Sequence, residues 1–322
     1  IIFSSLGVGL ADIFASKQIF TRILKMIFCY FFLQIIFIFV LADFDQRKIA
    51  YWLRLKAVYK RLINRSVFYR GLATWPIILL LFSGFPELKG LIPKLEPFNC
   101  DHVAINYDRL IHFGHYPHQL ISQFLIGHLR LIDQLYVNIW YLFMSFSLSY
   151  IIFHDGNNRR RIRYLLSYIL VWILLGNVMA TILSSVGPIF YHHFYPGFES
   201  PYLEHLAVLH NYYQLNQQFS PSLAMAEKML FLAKQSDNFF HYYAISAMPS
   251  LHIAQTFILV LYFRQFNKFI FIPVLLYFII IAFSSVFLLW HYAVDAYAGM
   301  IGGYIIWYLS GLVTRYNRKI NG

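Results

Sequence analysis

The chain has 322 residues, of which 59% are hydrophobic, 20% aromatic and only 12% charged. Soluble domains carry about 25% charged residues, so this composition excludes an ordinary soluble protein and indicates one that resides in a membrane. The net charge of +12 would suit a nucleic-acid-binding protein, but the placement of the basic residues does not favour that class.

Apolar runs follow one another along the chain, and a run of roughly 20 residues crosses the hydrocarbon core of a bilayer. Candidate spans lie at 22–42, 70–86, 134–153, 164–186, 248–263, 269–290 and 292–314. The run at 70–86 is the weakest because Pro76, Gly84 and Pro86 interrupt it. Residues 1–20 form either the end of another helix or a surface segment. The predicted fold is all-α, a polytopic transmembrane helical bundle.

The basic residues cluster in the short stretches between spans, such as "NNRRRIR", "RQFNK" and "RYNRK". Crossing the spans in turn places all of these stretches on one side, which the positive-inside rule identifies as the cytoplasm. The charge therefore reflects topology and contact with anionic lipid, and no nucleic-acid partner is predicted. The longer segments 87–133 and 187–247 are expected on the outer side.

Both outer segments contain helical patterns. The stretch "HQLISQFLIGHLRLIDQL" has an apolar stripe typical of an interfacial helix. In "SPSLAMAEKMLFLAK", Ser220 is suited to cap a helix whose first residue is Pro221. Either a substrate gate or simple surface packing would explain helices there. We expect residues 1–69 to form N-terminal membrane segments with a basic cytoplasmic loop, and 70–322 to form a catalytic transmembrane domain.

The phrase "MPSLH" combines a helix start with polar side chains. Pro249 is tolerated in a first helical turn, which predicts a helix that begins near residue 248. Its free N–H groups and the positive end of its dipole would form an anion site at the outer face. Ser250 adds a hydroxyl donor and His252 follows at once. A phosphate group could contact all three.

The phrase "HYAVD" supplies a second histidine. On a helix, His291 and Asp295 are four residues apart and share a face. The carboxylate could accept the proton of one imidazole nitrogen and leave the other nitrogen to attack phosphorus. His252 could then protonate the departing oxygen. The predicted topology brings His252 and His291 to the same outer face. A buried polar contact without catalytic function is favoured for either histidine alone, but the two phrases together favour a catalytic site.

Together, "PSLH" and the "HYAVD" that follows 39 residues later resemble the second and third signature blocks of the type-2 phosphatidic acid phosphatase superfamily. The resemblance implies an integral-membrane enzyme with a six-helix catalytic core and a phosphohistidine mechanism. It implies that His291 is the nucleophile, Asp295 its orienting acid and His252 the general acid. Ser250 would be a phosphate ligand.

Two departures from the family pattern concern cations. The first block, a lysine with Arg-Pro six residues beyond it, has no evident counterpart. In the third block an arginine is expected after a serine, whereas Ser284 is followed by Ser285. Such cations clamp phosphate oxygens, so their loss favours a less charged substrate, such as a phosphodiester, or cations from elsewhere. Arg130 is the first candidate substitute, and Lys228 and Lys234 are weaker ones.

The form "PSLH" instead of "PSGH", together with these gaps, resembles inositol phosphorylceramide synthase and its bacterial relatives. "GPIFYH" and "DRLIHFGHYP" are similar to features of a bacterial subgroup, which implies a periplasmic rather than a luminal site. The resemblance implies transfer of a phosphoryl or phospho-headgroup from a lipid donor through phospho-His291 to a lipid hydroxyl. A phosphatase for phosphatidate or polyprenyl phosphate is the alternative, and a non-catalytic transporter or scaffold is a further one.

The remaining histidines do not predict a metal site. His112, His115 and His118 lie close together, as do His192 and His193, but no cysteine and few carboxylates accompany them. Cys29 lies in the first span and Cys100 in an outer segment, so no disulfide is predicted. No cofactor is expected. The predicted partners are membrane lipids, and the oligomeric state stays open.

Overall fold

A computed structural model describes residues 65–235 and 245–321, and every regular element in these ranges is helical. The all-α prediction is therefore confirmed. The predicted span at 22–42 and the basic loop after it lie outside the described residues.

The helices follow one another with short connections. In chain order they are α1 Arg65–Gly90, α2 Ile92–Leu95, α3 Asp101–Ile111, α4 Pro117–Leu125, α5 Leu129–Gln134, α6 Trp140–His154, α7 Asn158–Leu170, α8 Ala180–Ile182, α9 Tyr191–Phe194, α10 Leu203–Leu215, α11 Pro221–Gln235, α12 Leu251–Phe263, α13 Lys268–Phe287 and α14 Ala293–Asn321. A 3₁₀ turn at Ile126–His128 and π-helical segments at Leu135–Ile139 and Val171–Met179 connect neighbouring helices.

Four helical runs among the described residues are long and apolar enough to cross a bilayer. They are Pro117–Phe153, Asn158–Ile182, Lys268–Phe287 and Ala293–Arg315. They contain most of the predicted spans at 134–153, 164–186, 269–290 and 292–314. The predicted interfacial helix forms the first part of the run from Pro117.

Helix α12 is apolar but has only 13 residues. At about 1.5 Å per residue it is roughly 20 Å long, shorter than a hydrocarbon core of roughly 30 Å. Most of its side chains are buried, and it packs against α13 and α14. The helix in the predicted span at 248–263 therefore begins three residues later than expected and is shorter than the four long runs, and the crossing at this place stays a prediction.

The chain divides into two compact units. The first contains the described residues 65–84 and 141–161, and the second contains 85–140, 162–235 and 245–321. In the first unit, the buried Asp155 carboxylate accepts two hydrogen bonds from the Arg160 guanidinium, at 2.9 and 2.7 Å. The candidate site lies entirely in the second unit.

Within the second unit, glycines let α14 approach α12 closely. A Cβ atom on Gly299 would lie 2.5 Å from the carbonyl oxygen of Ser250, and one on Gly303 would lie 3.3 Å from that of Ala254. Only a residue without a side chain fits the first position. The start of α12 therefore lies directly against the first turns of α14.

The predicted start of α11 is confirmed. The helix begins at Pro221, and the Ser220 hydroxyl accepts a hydrogen bond from the Leu223 N–H at 3.1 Å. The buried Asp133 carboxylate also accepts hydrogen bonds there from the Ser220 hydroxyl at 2.6 Å and the Ser222 N–H at 3.0 Å. Side chains thus satisfy the N–H groups that a helix start leaves free.

Candidate active site

The structure brings the two histidine motifs together. The ring centroids of His252 and His291 are 6.2 Å apart. The backbone N–H of Ser250 donates to the carbonyl oxygen of Asp295 at 3.0 Å, so the loop before α12 is bonded directly to α14. One phosphate group could therefore contact both imidazoles.

Helix α12 begins differently from the sequence prediction. Ser250 is the N-cap, with an extended backbone and a hydroxyl that accepts from the Ile253 N–H at 3.5 Å, while Pro249 stands before the helix. Serine is the stronger capping residue because its side chain can replace a missing backbone acceptor. The Ser250 side chain is buried, and its role as a phosphate ligand stays a prediction.

His291 also differs from the prediction, because it lies before helix α14 rather than on it. Asp295 stands in the first turn of α14 and reaches back, accepting from the Tyr292 N–H at 3.0 Å. This is half of a capping box. Its carboxylate oxygen Oδ2 still lies 3.5 Å from Nδ1 of His291. Hydrogen bonds of this kind are often long without substrate and tighten when it binds, so the orienting role remains available.

The turn that carries His291 closes α13. Leu289 has a positive φ of 61°, and the N–H groups of Leu289 and Trp290 donate to the carbonyls of Val286 and Ser285. This is a Schellman motif with leucine in the place that usually requires glycine. Ser285 therefore contributes its backbone carbonyl here, at the position where the family pattern has an arginine.

Burial keeps the nucleophile candidate neutral. Burial, the largest cause, and the positive charge of Lys89 together lower the pKa of His291 to about 3, against the opposing effect of a hydrogen bond with the Ala247 carbonyl. An imidazole must be unprotonated to attack phosphorus. His291 satisfies this condition across the physiological pH range.

Two aromatic side chains hold His252. Its ring is stacked on Tyr136 at 4.7 Å and packs against Trp140 at 4.2 Å. The Trp140 indole N–H donates to the Thr256 hydroxyl at 3.0 Å, and that hydroxyl donates to the carbonyl of His252 at 2.7 Å. The π-helical segment Leu135–Ile139 contains Tyr136 and ends directly before Trp140. The sequence analysis did not identify this aromatic support.

The sequence analysis also missed Lys89, at the end of α1. Its ammonium group donates to the carbonyl of Ser246 at 3.1 Å, beside the loop that leads to α12. Its charge acts on both His252 and His291, and burial lowers its own pKa to about 8. Lys89 is therefore a cation at the site.

The signal for Lys89 is present in "KGLIPKLEP". Six residues separate Lys89 from Glu96-Pro97, which is the spacing of the first family block, with glutamate where arginine is expected. The Glu96 carboxylate accepts from the Asn99 side chain at 2.8 Å. The stretch therefore resembles the first block with one of its two cations, and the glutamate concealed the resemblance.

The predicted substitute cations lie elsewhere. Arg130 on α5 and Lys228 on α11 are exposed, and among the described residues no recorded contact joins either of them to the two histidines. The side chain of Lys234 lies outside the described part of the structure. Their proposed contact with phosphate stays a prediction, whereas the charge of Lys89 acts on both imidazoles.

A second carboxylate, Asp108, supports the start of α14. It accepts from the N–H groups of Ala293 at 3.0 Å and Val294 at 2.8 Å. Burial is the main cause that raises the pKa of Asp108 to about 6, against the opposing effect of these two hydrogen bonds. Asp108 opens the stretch "DRLIHFGHYP" that the sequence analysis singled out, and it stabilises the turn that carries Asp295.

Two further histidines that the sequence singled out, His112 and His118, make structural contacts. Both ring nitrogens of His112 are bonded, to the Asp108 carbonyl at 2.7 Å and the Tyr297 hydroxyl at 2.9 Å. His118 is buried against Tyr202, with ring centroids 5.1 Å apart. Within residues 65–235 and 245–321, no group of three or more potential ligands is arranged to hold a metal ion.

Comparison with known proteins gives one finding. A family model described as "PAP2 superfamily" matches residues 105–309, which is more than half of the chain and includes both histidine motifs and Asp108. Lys89 lies before the matched region. Comparisons with curated proteins and with solved structures give no match.

Proposed function

The chain belongs to the PAP2 superfamily, the type-2 phosphatidic acid phosphatases, and from that premise we propose that it transfers a phospho-headgroup from one lipid to another through a phosphohistidine at His291. Members of this superfamily are lipid phosphatases and phosphotransferases, so the chain is a membrane enzyme of that general type. The lipid-to-lipid reaction and the residue roles are the proposal.

The charge at the site carries the proposal. The Lys89 ammonium is bonded to the loop before α12 and its charge acts on both histidines, while Glu96 and Ser285 stand where the family pattern has arginines. A phosphate monoester carries about two negative charges near neutral pH, whereas a phosphodiester carries one. A single lysine complements one charge and leaves a second one unbalanced. These features favour a phosphodiester donor.

The first half-reaction forms the covalent intermediate. The imidazole nitrogen of His291 that does not face Asp295 attacks phosphorus, the bond from phosphorus to the donor lipid oxygen breaks, and protonated His252 gives its proton to that oxygen. Asp295 holds the other imidazole nitrogen of His291 and stabilises the charge that develops there. Lys89 balances the negative phosphate oxygens.

The second half-reaction regenerates the enzyme. An acceptor hydroxyl attacks phosphorus, neutral His252 takes the hydroxyl proton, and the bond between phosphorus and His291 breaks. The products are the donor lipid alcohol and a new phosphodiester. Water in place of the lipid hydroxyl would give hydrolysis, so a lipid phosphatase is the second candidate function. The feature that favours it is Lys89, which matches the lysine of the first family block.

We further propose that the site faces the periplasm or a lumen. His252 and His291 lie at the start of α12 and just before α14, whereas Arg264, Lys268 and Arg315 lie at the opposite ends of α12, α13 and α14. Basic residues mark the cytoplasmic ends of spans. The opposite orientation would place these cations outside.

The test uses a panel of defined lipids in mixed micelles, with a phosphodiester donor, a phosphate monoester donor and a hydroxyl-bearing acceptor. Free phosphate and new lipid phosphodiester are both measured for the wild type, His291→Ala and the exposed His128→Ala as the matched control. We expect a new phosphodiester that disappears with His291→Ala and persists with His128→Ala. Release of phosphate alone would establish the phosphatase, and activity that survives His291→Ala would reject the mechanism.

A further inference from the structure

Residues 184–189, which we call the bridging segment, lie in space between the loop before α12 and the turn before His291. We call this loop and this turn the two motif loops. On one side, the Ser185 carbonyl accepts from the Ala247 N–H at 3.0 Å and its hydroxyl accepts from the Met248 N–H at 3.2 Å. On the other side, the Ile189 N–H donates to the Leu289 carbonyl at 2.8 Å. The bridging segment is therefore bonded to the loop before α12 and to the turn before His291.

Gly187 shows how tightly this segment fits. Its φ is +90°, and a Cβ atom there would lie 2.9 Å from the Cβ of Ala247 and 3.0 Å from the carbonyl oxygen of Trp290. Both the backbone conformation and the space require glycine. The segment acts as a spacer that fills the space between Ala247 and Trp290, beside the direct bond from Ser250 to Asp295, and so fixes how the two motif loops face each other.

The Asp101 carboxylate holds this spacer in place. It accepts from the N–H groups of Val186 and Gly187 at 3.0 Å each, and from the Tyr292 hydroxyl at 2.8 Å. The Tyr195 hydroxyl donates a further bond at 2.9 Å. Asp101 is fully buried. A carboxylate suits this position because, unlike an amide, it accepts several hydrogen bonds and carries no donor of its own.

Tyr292 connects Asp101 to the reacting groups. It directly follows His291, and its backbone N–H donates to Asp295 at 3.0 Å while its hydroxyl is held by Asp101. The same carboxylate thus bonds the spacer and the residue between the nucleophile candidate and its orienting acid. Movement of Asp101 would change the position of His291 relative to His252.

We propose that Asp101 is a positioning residue for the transfer reaction, which sets the separation of His252 and His291 through Tyr292 and the bridging segment. This inference rests on the proposed function. It predicts a loss in the chemical step rather than in lipid binding, because Asp101 acts through its neighbours and not on the substrate. A misplacement of about 1 Å can reduce the rate by about 100-fold.

Asp133 provides a matched control. It is also fully buried and also accepts from a tyrosine hydroxyl, that of Tyr213 at 2.8 Å, from the Ser220 hydroxyl and from the Ser222 N–H. Its partners belong to α10 and the start of α11, and the one link from them to the His291 turn in the described residues is a side-chain bond, from the Trp290 indole N–H to the Ser222 hydroxyl at 3.2 Å. Replacing either aspartate with asparagine removes comparable hydrogen bonds, so both variants should lose similar thermal stability.

The experiment measures kcat, KM and melting temperature for lipid transfer by full-length Asp101→Asn, Asp133→Asn, Tyr292→Phe and the double variant Asp101→Asn with Tyr292→Phe. For Asp101→Asn we expect kcat to fall by about 100-fold with KM within about threefold. Asp133→Asn should retain kcat within about threefold at the same fraction folded. Tyr292→Phe should lose kcat by about tenfold, and the double variant should be no slower than Asp101→Asn, since coupled residues are not additive.

Equal kcat losses in the two aspartate variants, or multiplicative losses in the double variant, would overturn the proposal. If Asp101→Asn does not fold, Tyr292→Phe decides, because it removes one bond and keeps the carboxylate; unchanged kcat would then reject the inference. A wild type without transfer activity, or activity that survives His291→Ala, would instead reject the proposed function.

Discussion

The sharpest prediction concerns Lys89, which sequence analysis missed and the structure places beside both histidines. Lys89→Met removes the charge and keeps most of the side-chain length. At about 4 Å from a phosphate oxygen and an effective dielectric constant of about 20, one charge pair is worth roughly 4 kcal/mol. Loss of water around the bound ammonium offsets part of this, so we expect a net cost of about 3 kcal/mol, in the range found for removal of one transition-state donor.

A cost of about 3 kcal/mol corresponds to a fall in kcat/KM of roughly 150-fold, since each 1.36 kcal/mol is tenfold. A second effect has a defined sign. The charge of Lys89 lowers the pKa of His291, so its removal raises that pKa. Because His291 must be neutral to attack, the rate falls as the pH drops through its pKa. The acid limb of the profile should therefore move to higher pH.

The assay is kcat/KM for lipid transfer as a function of pH, measured for the wild type, Lys89→Met and Lys94→Met. Lys94 lies on the short helix α2, and its replacement changes the net charge equally, so that variant should behave like the wild type. A change below about threefold for Lys89→Met with an unmoved acid limb would refute the assignment of Lys89 to the phosphate site.

Three further predictions follow from single contacts. Glu96→Arg places a cation at the position where the first block has its arginine. It should raise monoester hydrolysis relative to diester transfer by about tenfold, the value of one charge-assisted hydrogen bond. An unchanged ratio of the two products would contradict the charge argument. Gly299→Ala should lower the free energy of unfolding by roughly 1–3 kcal/mol through overpacking, because its Cβ would lie 2.5 Å from the Ser250 carbonyl oxygen. The control Gly127→Ala has open space around its Cβ and should melt in detergent at the same temperature as the wild type. Burial raises the pKa of Asp108 to about 6 in the folded state, above its value of about 3.9 in the unfolded state. The folded state therefore binds the proton more tightly, and the free energy of unfolding should fall as the pH rises from about 4 to 6. Asp108→Asn should abolish that slope in thermal melts, and an equal slope in the variant would assign it to another group.

Sequence reasoning found the two motif loops because each is defined locally. The proline, serine and histidine of "PSLH" and the spacing of His291 and Asp295 are visible within a few residues, and so is the Ser220 cap. Local rules did not predict the backbone details. His291 stands before α14 because Asp295 caps the N–H of Tyr292, and Leu289 adopts a positive φ that its own side chain disfavours.

The sequence by itself determined the membrane class, the all-α architecture and the two motifs, since hydropathy and short spacings are local properties of the sequence. Tertiary structure alone decided what surrounds them. The bond from Lys89 to Ser246 spans 157 residues, and that from Tyr292 to Asp101 spans 191. Asp101 has no distinctive local pattern, because a buried carboxylate needs only donors that the fold brings to it. The spacing of Lys89 is visible in the sequence, but only packing brings its ammonium group to the loop before α12.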